Sequence, residues 1–137
     1  MVRLGIVASE FNWDVVGEML DYAKRHADFL EAEVVEELVV PGAFELPIAA
    51  KKLASNENID AVIALGAVIE GDTQHDEIVM MHASRKLMDL SIESGKPIAL
   101  GVSGPGETRL QALERVNEYA RRAVEAAVKT VKRTSEE

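Results

Sequence analysis

The chain contains no cysteine. That excludes disulfides, thiolate zinc sites and thiol nucleophiles, and makes a reducing cytoplasm the expected compartment. Histidine is scarce at three residues, and aromatics supply only 4% of the chain. No apolar run approaches the ~18 residues that cross a bilayer, so no membrane span is expected. The opening "MVRLGIVASE" enters an apolar strand too short for the h-region of a signal peptide, and an unprocessed chain is expected. Bases are also in short supply: 15 Lys and Arg stand against 24 Asp and Glu, a net charge of -9. Such a balance opposes nonspecific attraction to nucleic acid or to an anionic membrane. An anionic small substrate would need cations placed locally.

What remains is an ordinary globular composition, 47% hydrophobic and 28% charged, over a length that suits a single domain spanning 1–137. Four short runs read as strands: "RLGIVAS" at 3–9, "AEVVEELVV" at 32–40, "DAVIALGAVI" at 60–69 and "PIALGVS" at 97–103. Three are almost continuously apolar, the pattern of strands covered on both faces, whereas the second alternates and is expected nearer an edge. Stretches of helical period lie between them. In "WDVVGEMLDYAKRHADFLEA", Val16, Met19, Leu20, Ala23, Ala27 and Leu30 recur at three- and four-residue steps. This alternation predicts an α/β fold, a flavodoxin-like layered α/β/α arrangement around a central four-stranded parallel sheet with right-handed crossovers. Ligands in such folds bind beyond the carboxyl ends of the strands.

The loops at those ends carry unusual chemistry. Phe11 and Asn12 follow the first strand, and "VPGAFELP" places Phe44 and Glu45 after the second, with Pro47 in the opening turn of a helix. A buried aromatic and an N-cap would account for the first pair, and a core Phe with a helix-start acid for the second. After the third strand, "EGDTQHDEIV" pairs Thr73 with Asp76 as a capping box, which predicts a helix start at Thr73 and His75 in its first turn. There the positive end of the helix dipole disfavours imidazolium, so the ring could act as a neutral base, and Gly71 would let an anion approach the backbone. A cap with a solvated histidine is the plainer alternative.

A metal site is disfavoured. His75 and His82 lie seven residues apart, roughly 10 Å along a helix, and no His-x-x-x-His pair occurs. His26 and His82 are expected on helix surfaces. "IVASEFNWD" lacks the glycines of a dinucleotide fingerprint, and "GVSGPGETRL" lacks the ending of a phosphate loop. The latter reads as a turn followed by a Thr108–Gln111 capping box. Arg109 and Arg115 then fall in the first two helical turns, where cations gain nothing from the dipole, and an anionic partner would explain one of them.

In order and spacing, "FN", "VPGAFELP", "GAVIEGDTQHDEIV" and "GETRLQALERV" resemble the lumazine synthase family over residues 3 to about 130. The resemblance implies condensation of 5-amino-6-(D-ribitylamino)uracil with 3,4-dihydroxy-2-butanone 4-phosphate to 6,7-dimethyl-8-ribityllumazine, the penultimate step of riboflavin synthesis, without metal or organic cofactor. It implies that Phe11 stacks on the pyrimidine, that Asn12 also belongs to the substrate-binding residues, and that Ala43, Phe44 and Glu45 meet the ring and ribityl chain. Ala67, Val68 and Ile69 would supply backbone contacts. Asp72, Thr73 and Arg115 would hold the phosphate, and His75 would transfer protons. The alternatives are the related riboflavin synthase, which dismutates lumazine, and a noncatalytic flavin-binding shell protein.

Some residues depart from the family pattern. Leu100 stands where a phenylalanine is common, Asp76 where an aromatic is common, and "GPGETRL" is one residue longer than usual. Lysines often found past the arginine are absent, with Arg121 and Arg122 nearby. The resemblance further implies a homo-oligomer, with each site shared in a pentamer and Leu100 and Arg115 coming from one subunit. The absence of an insertion within "LERVNEYARRAV" leaves a sixty-subunit icosahedral shell sterically allowed. The small residues of "YARRAVEAAVKTV" would permit close packing either on a neighbour or on the chain's own sheet.

Overall fold

The computed structural model describes residues 1–71 and 75–135. Strands β1 (Arg3–Ser9), β2 (Glu33–Val40), β3 (Ala61–Ile69) and β4 (Ile98–Glu107) alternate with helices α1 (Trp13–Phe29), α2 (Leu46–Ala54), α3 (Asp76–Ser94) and α4 (Arg109–Thr134). The sheet is wholly parallel in the order β2-β1-β3-β4. This is the flavodoxin-like order ended at its fourth strand. All nine residues of β3 are buried, as its continuous apolar run requires, while β2 alternates exposed and half-buried residues at the sheet edge.

The two-residue period of the strands divides the core. Leu4, Ile6, Ile63 and Leu65 face α1 and α4, whereas Val7, Val62, Ala64 and Val68 face α2 and α3. Burial of each Leu or Ile contributes about 1.5–3 kcal/mol. The alanine face of α4 belongs to this core: Ala120, Ala123 and Ala127 are buried within the chain. It packs so closely on β4 that a Cβ at Gly101 would lie 3.1 Å from the Ala123 Cβ. Of the two packings open to that helix, its small residues serve its own sheet.

Three expectations need correction. His26 is not a simple surface residue: its Nε2 lies 3.0 Å from Glu125 Oε2, bridging α1 to α4, and its ring stacks on Phe29. The Glu125 carboxyl is held below its ordinary pKa by Lys129 first and His26 second. His82, by contrast, is exposed as expected.

The second correction concerns "GPGE", which lies within β4 instead of forming the connector to α4. Ala67 pairs with Ser103 and Ile69 with Glu107, so β4 takes four steps where β3 takes two. Gly104 and Gly106 have φ of 99° and 76°, and these left-handed turns let the chain loop out and return. The Gly104–Pro105 peptide is cis. The capping box then follows as expected, with Gln111 N donating to Thr108 Oγ1 at 3.1 Å and Thr108 N to Gln111 Oε1 at 2.9 Å.

The third correction is the start of α3. Its first i to i−4 bond runs from Val79 N to the His75 carbonyl at 2.9 Å, which makes His75 the N-cap, not a first-turn residue. Thr73, the other half of the expected capping box, lies outside the described residues.

Candidate active site

The sheet gathers the strand-to-helix loops along one edge. Glu10 N donates to the Val40 carbonyl at 2.6 Å and Phe11 N to the Pro41 carbonyl at 3.0 Å, so the loop after β1 lies against the loop after β2. Ala43, Phe44 and Glu45 form one 3-10 turn, in which Glu45 N donates to the Gly42 carbonyl at 3.1 Å. Ala43 is buried and Glu45 half-buried. Phe11 and Phe44 are not core residues: they are 57% and 61% exposed. Exposed aromatics on adjoining loops offer flat apolar surface to a ligand ring.

Asn12 is not a side-chain cap either. It sits at φ 63°, ψ 44°, and its backbone carbonyl accepts from Val15 N and Val16 N. Its amide instead donates to the Ala67 carbonyl at 3.0 Å. Ala67, Val68 and Ile69 are buried at the end of β3, beyond its last pair with β1 at Leu65. Strand β1 stops short, and the Asn12 amide takes over the pairing there.

Arg109 and Arg115 both have anionic partners. Arg109 Nη1 donates to both carboxylate oxygens of Asp14 at 2.7 and 2.8 Å, and Nη2 donates to Asn12 Oδ1 at 2.8 Å. This clamp ties the start of α4 to the loop after β1. Arg109 is not among the site residues that the loop motifs suggest, although a cation at a helix N-terminus, where the dipole is unfavourable, signals a placed partner. Arg115 Nη1 lies 3.5 Å from Glu107 Oε1, with its side chain 43% exposed.

His75 is exposed at the same edge. Asp72 and Thr73 lie outside the described residues. Among the described residues no cluster of three or more His, Cys, Asp or Glu could hold a metal ion.

Leu100 does not join this group. It pairs with Ala64 near the start of β4, three residues before the level of Ala67. That places it about 10 Å along the strand from the loop edge. It is 45% exposed and lines an apolar groove with Met81, Leu87, Met88 and Ile98.

The family model described as 6,7-dimethyl-8-ribityllumazine synthase matches residues 1–135. A 6,7-dimethyl-8-ribityllumazine synthase from Methanothermobacter thermautotrophicus is 57% identical over 136 residues, covering 99% of this chain and 97% of that protein. One from Archaeoglobus fulgidus is 58% identical over 135 residues, covering 98% and 94%. With a match of this extent laid on the observed sheet order and loop edge, the chain belongs to the 6,7-dimethyl-8-ribityllumazine synthase family.

Proposed function

We infer that the protein condenses 5-amino-6-(D-ribitylamino)uracil with 3,4-dihydroxy-2-butanone 4-phosphate to 6,7-dimethyl-8-ribityllumazine, releasing phosphate and two waters. The observation that carries this reading is the pair of exposed aromatics, Phe11 and Phe44, on loops joined by backbone hydrogen bonds beside the end of β3. The pyrimidine stacks on Phe11. Ala43, Phe44 and Glu45 meet its ring and ribityl chain, while Asn12 and the backbone of Ala67, Val68 and Ile69 bound it from the sheet.

The uracil amine attacks the butanone carbonyl and water leaves to give a Schiff base. Phosphate is then eliminated, and the ribitylamine nitrogen closes the second ring with loss of the other water. Each step moves protons between nitrogen, carbon and oxygen. His75 relays them from the start of α3, and Asp72 and Thr73 hold the phosphate together with Arg115, which reaches it across the subunit boundary. Alignment of two reactants can supply about 7–11 kcal/mol of the barrier reduction, so proton transfer is assigned the smaller share.

The position of Leu100 supports a site shared between subunits. It lies about 10 Å along the strand from the loops of its own chain, on an exposed apolar groove, which supports its walling the pyrimidine site of a neighbour. The protein is accordingly read as a pentamer, able to assemble further into a sixty-subunit shell. No described helix is long and apolar enough to cross a membrane, and a cytoplasmic location fits a metabolic enzyme without cysteine.

Incubation with both substrates should yield lumazine absorbance and phosphate in equal amounts. Absence of both products would overturn the reading. Flavin formed from lumazine alone would point to the riboflavin synthase reaction instead.

A further inference from the structure

We propose that Glu107 is a positioning residue that acts through Arg115 to set the grip on the phosphate group. This rests on the functional reading above, in which Arg115 meets the butanone phosphate. Glu107 is the last residue of β4 and only 1% exposed, which is unusual for a carboxylate without full pairing. Its Oε2 accepts from the buried Ser103 Oγ at 2.7 Å. Its Oε1 is buried and makes no hydrogen bond among the described residues; Arg115 Nη1 lies 3.5 Å away.

The carboxylate is thus anchored at Oε2 by Ser103 and turns Oε1 toward Arg115. The glycine-containing bulge brings Glu107 back into register opposite Ile69, and the Glu107 carbonyl accepts from Glu70 N at 2.8 Å. Glu70 opens the loop that leads to His75, so the Glu107 backbone is joined to that loop while its side chain faces Arg115. A guanidinium has five N–H donors in a planar fork. An ion pair at one Nη orients that plane and leaves donor capacity for an anion. Without Glu107, a half-exposed arginine would sample several rotamers and bind phosphate only from some of them.

The geometry also explains why an acid stands at this position. An apolar residue would fill the space with less desolvation cost but could not orient a cation. Burial of Oε1 without a hydrogen bond is unfavourable for folding alone, and Arg115 turns it to use.

The test measures inorganic phosphate binding to the assembled protein by calorimetry, together with the Michaelis constants for both substrates. Glu107→Gln keeps the shape and can still accept from Ser103, but it removes the charge facing Arg115. It should weaken phosphate binding and raise KM for the butanone phosphate about five- to twentyfold, with KM for the uracil substrate unchanged. Glu107→Asp, charged but shorter, should fall between. In an Arg115→Ala background, Glu107→Gln should add no further loss, because the residue acts through that arginine.

Wild-type phosphate affinity in correctly assembled Glu107→Gln would overturn the proposal. So would an effect that persists undiminished beside Arg115→Ala. If Glu107→Gln fails to fold, Ser103→Ala serves instead: it releases Oε2 and should weaken phosphate binding about two- to fivefold, and an unchanged affinity would overturn the proposal equally. Absence of lumazine formation by the wild type would refute the functional reading separately, since phosphate binding is read without turnover.

Discussion

The Asn12 side-chain amide donates to the Ala67 carbonyl at 3.0 Å across 55 residues of sequence, closing the gap left where β1 ends before β3. Asn12 holds this bond from a left-handed backbone that few residues other than glycine, asparagine and aspartate adopt readily. Asn12→Ala should therefore destabilise the fold by about 1–3 kcal/mol, through backbone strain and a lost, partly buried hydrogen bond. Asn12→Gly removes the strain and should recover part of that loss. Denaturant unfolding of the two variants checks the order, and equal stabilities would mean that the backbone contributes nothing.

His75→Ala should lower kcat by about 10- to 100-fold, less than the usual 10²- to 10⁴-fold for a general acid or base, because water can relay protons between aligned reactants. Steady-state turnover decides this. A wild-type kcat would remove His75 from proton transfer, and complete inactivity would mean that alignment contributes less than supposed.

Arg3 and Asp60 couple stability to pH. Arg3 N and Nε donate to Asp60 Oδ2 at 2.8 and 3.3 Å, and Nη2 donates to Oδ1 at 3.1 Å. The Arg3 side-chain hydrogen bond is the main cause holding the Asp60 carboxyl below its ordinary pKa, against the opposing effect of burial. Because the folded value is the lower one, this stabilisation is complete above the unfolded carboxyl pKa of about 4. It is lost as pH falls through the folded value. The pair is partly solvated, so the loss should be about 1 kcal/mol or less. Asp60→Asn should flatten that part of the stability curve between pH 7 and pH 3, and an unchanged curve would count against the coupling.

Gly104→Ala should cost roughly 2–4 kcal/mol, since φ of 99° is strained for alanine and its Cβ would collide with the Val68 carbonyl. Gly106→Ala should cost less: its φ is also positive, but a Cβ there meets nothing within 4 Å. Thermal unfolding of both variants separates the collision from the strain they share, and a smaller loss at Gly104 would contradict the close approach.

With the site shared between subunits as proposed, Leu100→Glu should disrupt it by placing a charge in the apolar groove that also contains Met81 and Met88. Sedimentation of the wild type at moderate salt should give a mass of five or sixty subunits, and the variant should shift toward smaller species with turnover lost. A monomeric, fully active wild type would defeat the shared site. A mass near five subunits would leave the pentamer standing and remove the shell.

The sheet and its layers were legible in the sequence because both are set by short-range patterning. The continuous run at 60–69 and the alternating run at 32–40 mark an interior and an edge strand, and the i, i+3, i+4 spacing of Val16, Met19, Leu20 and Ala23 marks the buried face of α1. Loop motifs in order along the chain also placed Phe11, Phe44 and His75 at one edge, since parallel strands bring all their carboxyl ends together. Tertiary structure alone decided what those loops hold on to. Asn12 reads as a cap locally, but the end of β1 leaves the Ala67 carbonyl for its amide. Arg109 finds Asp14 and Asn12 more than 90 residues away, and His26 finds Glu125 on another helix. The "GPGE" segment joins β4 because two left-handed glycines return Glu107 to register with Ile69, which then faces its carboxylate toward Arg115. Periodicity carries information over a few residues; these pairings depend on distances between strands and helices, which exist only once the sheet has formed.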